Sequence, residues 1–162
     1  MWPSPGCEQM KQSKAQKPTR FTSVYRHGLD LKRRLQVPAA WRPEPGVELT
    51  LVLWPGQEGG SCLRVLLPHQ MDKLMENIEA LPQGDPKKVI LKRIVGSKSV
   101  QVSLDGAGRI LLPEEMTRAA GITTEAVLWG LLDRYEIWGP ERYEKEIAAA
   151  EKLAPEALKL MD

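Results

Sequence analysis

Leu29-Asp30-Leu31-Lys32-Arg33-Arg34-Leu35-Gln36-Val37-Pro38 returns 75 positions later as Leu104-Asp105-Gly106-Ala107-Gly108-Arg109-Ile110-Leu111-Leu112-Pro113. Leucine, aspartate, arginine and proline coincide. The register persists, because Gly46 falls on Gly121 and Val52-Leu53-Trp54 on Val127-Leu128-Trp129, giving eight identities over 26 positions. Ordinary composition gives about one or two. A repeat with a strand-like core is one small module duplicated, too few copies for a solenoid, and two copies most simply form a pseudo-twofold pair. Function is then expected on both copies or across their junction.

The 162 residues and their 42% hydrophobic fraction can fill a modest core. A module of roughly 70 residues is marginal alone, so the copies are expected to bury surface on each other or on further chains. The net charge of +2 is small but uneven: residues 1–42 hold nine Lys or Arg against two acids, so the basic end is the first copy. Cys7 and Cys62 form no disulfide framework, and no Cys/His spacing resembles a zinc site, which fits a reducing cytoplasm and no metal. There is no apolar run of membrane-spanning length and no basic-then-apolar leader. A cytoplasmic protein is expected.

Residues 1–20, rich in Pro, Gly, Ser and Gln and carrying Lys11, Lys14, Lys17 and Arg20, read as a flexible basic arm. The first module spans residues 21–81. In it, residues 21–29 and 35–37 read as the strands of a hairpin with residues 30–34 at its tip, and Pro38 ends the second strand before a helical turn. Residues 49–54 and 62–67 make a second strand pair. Pro68 then opens a helix with Met71, Leu74, Met75, Ile78 and Leu81 at helical spacing. Residues 82–95 form a linker and connecting segment whose apolar residues are expected to pack inward while its lysines and Arg93 face solvent. The second module, residues 96–151, repeats the order, with a short helix after Pro113 and a longer one opened by Pro140; residues 152–162 are a C-terminal tail.

The Asp-x-x-x-Arg motif puts an anion and a cation on either side of a tight turn. The pair pins the hairpin as a salt bridge, or the aspartate fixes the arginine while its fork meets phosphate or a guanine edge, and the two readings are compatible. Lys32-Arg33-Arg34 favours the second, since three consecutive cations on a protruding turn repel one another unless an anion meets them. Gly108 is the residue expected where a turn needs positive φ. Arg33 stands in its place in the first copy.

The tandem Leu-Asp-x-x-Gly-Arg-x-x-x-Pro pattern, the Gly96-Ser97 junction and the stretch Asp133-Arg134-Tyr135-Glu136-Ile137-Trp138-Gly139-Pro140-Glu141-Arg142-Tyr143 resemble the MraZ family of bacterial transcriptional regulators. The resemblance runs over about residues 21–151, closely in the second copy and loosely in the first. It implies a mainly β fold with α: two tandem AbrB-like, swapped-hairpin β-barrel modules in a pseudo-twofold arrangement with flanking helices. It further implies a closed ring of protomers and sequence-specific binding to repeated double-stranded DNA elements upstream of the division and cell-wall gene cluster, the protein's own promoter included. A nucleoid-associated regulator without catalysis or cofactor follows. Carried over residue by residue, the DNA contact falls on Arg34 and its repeat partner Arg109, with Lys32 and Arg33 beside the first. A basic residue eight or nine positions on corresponds to Arg42 and Arg118. Asp30, Asp105, Gly108, Pro38 and Pro113 are the motif's structural residues, and the first copy is expected to dominate.

Two other classes compete with this reading. An acid dyad of Asp30 and Asp105 would share a proton and activate water, but the Asp-Thr/Ser-Gly pattern is missing from both copies. AbrB-like folds also serve as antitoxins with a flexible acidic tail, whereas the tail here mixes Glu156 and Asp162 with Lys152 and Lys159. His27 and His69 lie too far apart to suggest one site. Trp54, Trp129 and Trp138 read as core, and Trp41 beside Arg42 is the one tryptophan open to a base-stacking reading.

Overall fold

The computed structural model describes residues 20–58 and 60–162. Apart from Arg20, the expected basic arm and Cys7 lie outside them. The first copy supplies β1 (Val24–Gly28), β2 (Arg34–Gln36), a 3-10 turn (Ala39–Trp41), β3 (Leu49–Trp54), β4 (Cys62–Leu66) and helix α1 (Pro68–Glu79). Helix α2 (Pro86–Ser97) follows. The second copy supplies β5 (Ser99–Val102), β6 (Arg109–Leu111), α3 (Glu114–Ala119), β7 (Glu125–Gly130), β8 (Tyr135–Trp138) and α4 (Pro140–Leu158).

Strand pairing crosses between the copies. A six-stranded antiparallel sheet has the order β1-β7-β8-β4-β3-β5, and β2 pairs with β6 in a separate two-stranded ribbon. The hairpin expected between β1 and β2 is therefore not made. Two backbone bonds, from the amide of Asp30 to the carbonyl of Arg34 (3.1 Å) and from the amide of Arg33 to the carbonyl of Asp30 (2.9 Å), close the turn, away from which β1 runs along β7 and β2 along β6. The exchange is reciprocal, since β5 lies on β3. Exchanging the copies reproduces the pattern of partners.

The reason is burial. Leu35 and Val37 from one copy and Ile110 and Leu112 from the other are fully buried, as the period of two on β2 and β6 predicts, and they share one core with Leu51, Leu63, Leu128 and Ile137. Each such side chain contributes about 1.5 to 3 kcal/mol by leaving water. Neither copy owns enough of this core to close it alone. Trp41 belongs to it too, with ring centroids 4.8 Å from Tyr135, 5.2 Å from Tyr25 and 5.7 Å from Phe21, so it is no stacking platform for a base.

At the centre of the sheet, β4 meets β8 with Arg64 opposite Glu136, two residues related by the repeat at an offset of 72. The symmetric position thus carries opposite charges. The guanidinium and carboxylate pair at 3.0 Å with side chains 20% and 7% exposed, Trp138 Nε1 donates to the same carboxylate at 3.1 Å, and Arg64 lies over the Trp54 ring at 4.1 Å.

Residues 86–97 keep the expected orientation at Val95, which is buried, and at Lys87, Lys92 and Arg93, which face solvent, and reverse it elsewhere. Asp85 caps α2 by accepting the Lys87 amide at 2.9 Å, with Pro86 in the first turn. Lys88 is then buried, its ammonium donating to the Glu79 carbonyl at the end of α1 at 3.1 Å, while Val89, Ile90, Leu91 and Ile94 are exposed. A cation meeting the negative end of a helix explains the buried lysine.

Candidate nucleic-acid interface

The β2–β6 ribbon holds both repeated turns at one place. Leu35 faces Ile110 in register, the Val37 amide donates to the Gly108 carbonyl and the Leu112 amide to the Arg33 carbonyl (3.0 Å each), so each turn is sewn to the strand of the other copy. Gln36 Nε2 donates to the Ala107 carbonyl at 2.9 Å.

Inside each turn the same cage is built. Asp30 Oδ1 accepts the amides of Lys32 and Arg34 at 2.9 Å, and its Oδ2 accepts Arg34 Nε at 2.7 Å. Asp105 accepts the amides of Ala107 and Arg109 and Arg109 Nε, all at 2.9 Å. The Arg34 amide, foremost, holds the Asp30 carboxyl below the usual carboxylate range, and the Arg109 amide does so for Asp105. A pair sharing a proton needs one carboxyl raised, so this geometry is the opposite of an acid dyad.

The chemistry this leaves for a ligand is specific. Nε of Arg34 is committed to Asp30, and its two terminal nitrogens donate no hydrogen bond among the described residues, so the planar fork is aimed but unspent. Arg109 is held likewise, and its Nη1 also lies 3.6 Å from Asp30. Asp30 therefore gathers arginines from both copies.

Arg33 sits at φ +59° where Gly108 sits at +78°, so the first turn keeps a left-handed residue without glycine. Its Nε is buried without a partner. Lys32 is exposed. Arg42 donates Nε to the Val37 carbonyl at 3.0 Å and lies against the second turn, where a Cβ on Gly108 would come within 2.3 Å of Arg42 Nε. Arg118 is exposed on α3 and pairs with Glu114 at 3.1 Å, with no hydrogen bond or ion pair to either turn. Pro38 and Pro113 occupy matching positions, φ −53° and −60°, at the head of the short helical elements. The structure thus brings Arg34 and Arg109 together at Asp30, with Lys32 and Arg33 on the turn entering one end of the antiparallel ribbon and Arg42 against the turn entering the other, and leaves Arg118 to one side.

One residue at the tip escaped the sequence reading. Leu31 is fully exposed between the caged aspartate and Lys32. An apolar residue inside an otherwise charged turn was the signal that could have found it.

Comparison with known proteins follows the same residues. A family model described as "MraZ protein, putative antitoxin-like" matches residues 97–159. A protein of Rickettsia rickettsii (strain Sheila Smith) named "Transcriptional regulator MraZ" is 35% identical over 138 residues, covering 84% of this chain and 92% of its own length. The chain belongs to the MraZ family. Relatives of the same name from Rickettsia africae (strain ESF-5) and Rickettsia typhi (strain ATCC VR-144 / Wilmington) are 34% and 32% identical over the same shares. The MraZ likeness therefore extends well beyond the second copy that the family model matches. Among the described residues no helix is long and apolar enough to cross a membrane.

Proposed function

We propose that this protein is a sequence-specific DNA-binding transcriptional regulator that reads repeated double-stranded elements with the paired turns of its β2–β6 ribbon. The observation that carries the reading is the duplicated Asp cage, which holds Arg34 and Arg109 by their Nε atoms and leaves for a ligand the Arg34 fork and the part of the Arg109 fork that Asp30 does not engage. A fork of this kind suits guanine O6 and N7 or a phosphate. In this reading Arg34 specifies, Lys32 and Arg33 hold phosphate, Leu31 meets an apolar base edge such as a thymine methyl, and Arg42 supports the second turn. Arg118 serves, at most, flanking phosphate.

The architecture proposed is two AbrB-like modules, residues 21–81 and 96–151, joined through residues 82–95 and interlocked as swapped hairpins into a β-barrel core. The reciprocal strand pairing supports it. Family resemblance supports a nucleoid-associated ring acting upstream of the division and cell-wall gene cluster, its own gene included. Footprinting on the DNA upstream of that gene tests this: protection of regularly spaced elements is expected, lost with Arg34→Ala. An unprotected promoter overturns it. The antitoxin-like alternative draws on the apolar, uncovered end of α4, and co-purification of an unrelated partner protein on that end in place of DNA binding would favour it.

A further inference from the structure

The turns that join the paired strands differ in length between the copies, and each packs against the helix of the other copy. Residues 55–61 join β3 to β4, whereas the shorter stretch 131–134 joins β7 to β8. Helix α4 holds the long turn closely. The Glu146 carboxylate accepts the amides of Gln57 and Glu58 at 2.7 and 2.8 Å, and Arg142 donates to the Ser61 carbonyl at 3.0 Å. Gly56 lies so near that a Cβ there would come within 2.7 Å of the Trp138 ring.

The equivalent place on α1 is open. At an offset of 72, Arg142, Glu146 and Trp138 correspond to Gln70, Leu74 and Leu66, and Ser61 corresponds to Asp133. Gln70 repeats the anchoring bond by donating to the Asp133 carbonyl, but the short turn supplies no counterpart of residues 56–58, and a cavity of about 320 Å³ remains. That is the size of a small-ligand site. Arg64 from β4, His69 and Lys73 from α1 and Arg134 from the turn line it against one acid, Asp133. Glu136 holds Arg64, and Asp133 holds Arg134, through Nε and Nη2, so the Nη1 of each has no hydrogen-bond partner among the described residues. The Trp54 ring, 4.1 Å away, clamps Arg64 further. Lys73 reaches its nearest acid, Glu76, only at 4.0 Å. A concave wall of one charge concentrates anions.

We propose that this cavity binds a small phosphomonoester, its phosphate held by Arg134, Lys73 and Arg64 and its polar body beside Gln70 and Asn77. Two guanidinium groups fixed in advance and one ammonium offer charge-assisted donors from three separate elements. A phosphate, with three acceptor oxygens and up to two charges, answers them better than a carboxylate, which has one oxygen fewer and a single charge. The two copies differ in where the anion comes from. Glu146 puts a carboxylate of the protein's own into the space beside α4, whereas Leu74 leaves the space beside α1 to an anion brought from outside. None of these residues belongs to the paired turns, so the site stands apart from the DNA reading.

Titration calorimetry on the full chain tests it, with ribose 5-phosphate, glucose 6-phosphate and glycerol 3-phosphate as probes, each beside its unphosphorylated parent and beside inorganic phosphate. At least one phosphomonoester should bind saturably and more tightly than inorganic phosphate, while its parent does not bind. Lys73→Glu, at an exposed position, should weaken that binding roughly tenfold or more, with an unchanged urea midpoint. Leu74→Glu, which copies Glu146, should abolish it, and if that variant does not fold, Lys73→Glu alone decides. Three calorimetric results would overturn the proposal: no binding by any probe, no preference over inorganic phosphate, which would mean an adventitious ion only, or an affinity that Lys73→Glu leaves unchanged. Two reassignments would overturn it as well. Loss of promoter affinity in Lys73→Glu, read by anisotropy, would make the cavity a seat for DNA phosphate, and a lower assembled mass of that variant in sedimentation would make it a seat for a neighbouring chain.

Discussion

The turns at residues 30–34 and 105–109 share their hydrogen-bonded cage and differ at the tip. The first presents Leu31, Lys32 and a left-handed Arg33; the second presents Gly106, Ala107 and Gly108, the last pressed against Arg42. Duplication has kept the scaffold and let the side chains at the tip diverge. The same divergence occurs at the centre of the sheet, where equivalent positions carry Arg64 and Glu136 and form an ion pair. Equivalence of fold between the copies therefore does not imply equivalence of role.

The sharpest way to break this comparison is at the sheet centre. Glu136→Ala strands a largely buried Arg64 and frees the Trp138 N–H, and should cost about 2 to 4 kcal/mol in urea unfolding, toward the low side of buried pairs because Arg64 is partly exposed. Glu136→Gln, which keeps an acceptor, should recover part of it. An unchanged midpoint for Glu136→Ala would remove the pair from the account of the fold.

The turns come next. Arg34→Ala should weaken binding to the promoter element by about 1 to 3 kcal/mol per site engaged, and Arg109→Ala by less, read by fluorescence anisotropy with assembly intact. Equal losses would make the two turns equivalent after all. Glycine exchange then isolates the backbone: Gly108→Ala should destabilise by about 1 to 2 kcal/mol, through positive φ and displacement of Arg42, whereas Arg33→Gly should stabilise by up to about 1 kcal/mol while lowering DNA affinity. Opposite signs in stability and affinity for Arg33→Gly are the signature of strain kept for function. Thermal melts alongside anisotropy measure both.

Smaller again is the effect of charge at the tip. Replacing Lys32 and Arg33 by Ala should lower affinity for cognate and random DNA alike and flatten the salt dependence by about one unit for each phosphate no longer neutralised. A weakening confined to cognate DNA would make these side chains readers of bases. The smallest effect is on pH. Because both carboxyls titrate below their unfolded values, the cages contribute fully above about pH 4 and are lost only as pH falls through the lowered values. Carboxyl NMR should place the Asp30 and Asp105 transitions below those of exposed aspartates, and a normal transition for either would mean that its cage is open in solution.

Much of this was legible in the chain. The repeat located the strands, the turns and the Asp-x-x-x-Arg cage, because local hydrogen bonding is written in local residues. Partner choice was not, since β1 and β2 read as a hairpin and nothing within residues 21–37 records that each finds its partner in the other copy. Helix α2 had a start signal, Asp85-Pro86, that also reads as a linker, and the burial of Lys88 depended on the end of α1 arriving beside it. Trp41 looked ambiguous beside an arginine because its aromatic neighbours Phe21, Tyr25 and Tyr135 are scattered along the chain. At the site, Arg34 and Arg109 follow from the motif, but the junction of Asp30 with Arg109 and the exposed Leu31 do not.

The reciprocal pairing of strands also sets an order of events at the ribosome. When the first copy has emerged, β3 and β4 can meet, but β1 and β2 have no partner until β7 and β6 are synthesised, and the outer edge of β3 waits for β5. Val24 must hold out for Trp129. Such long-range closure is slow and leaves strand edges exposed in the meantime. A nascent chain interrupted between the copies is thus an unfinished fold with open edges, and translation through the second copy becomes the step that makes the first one safe.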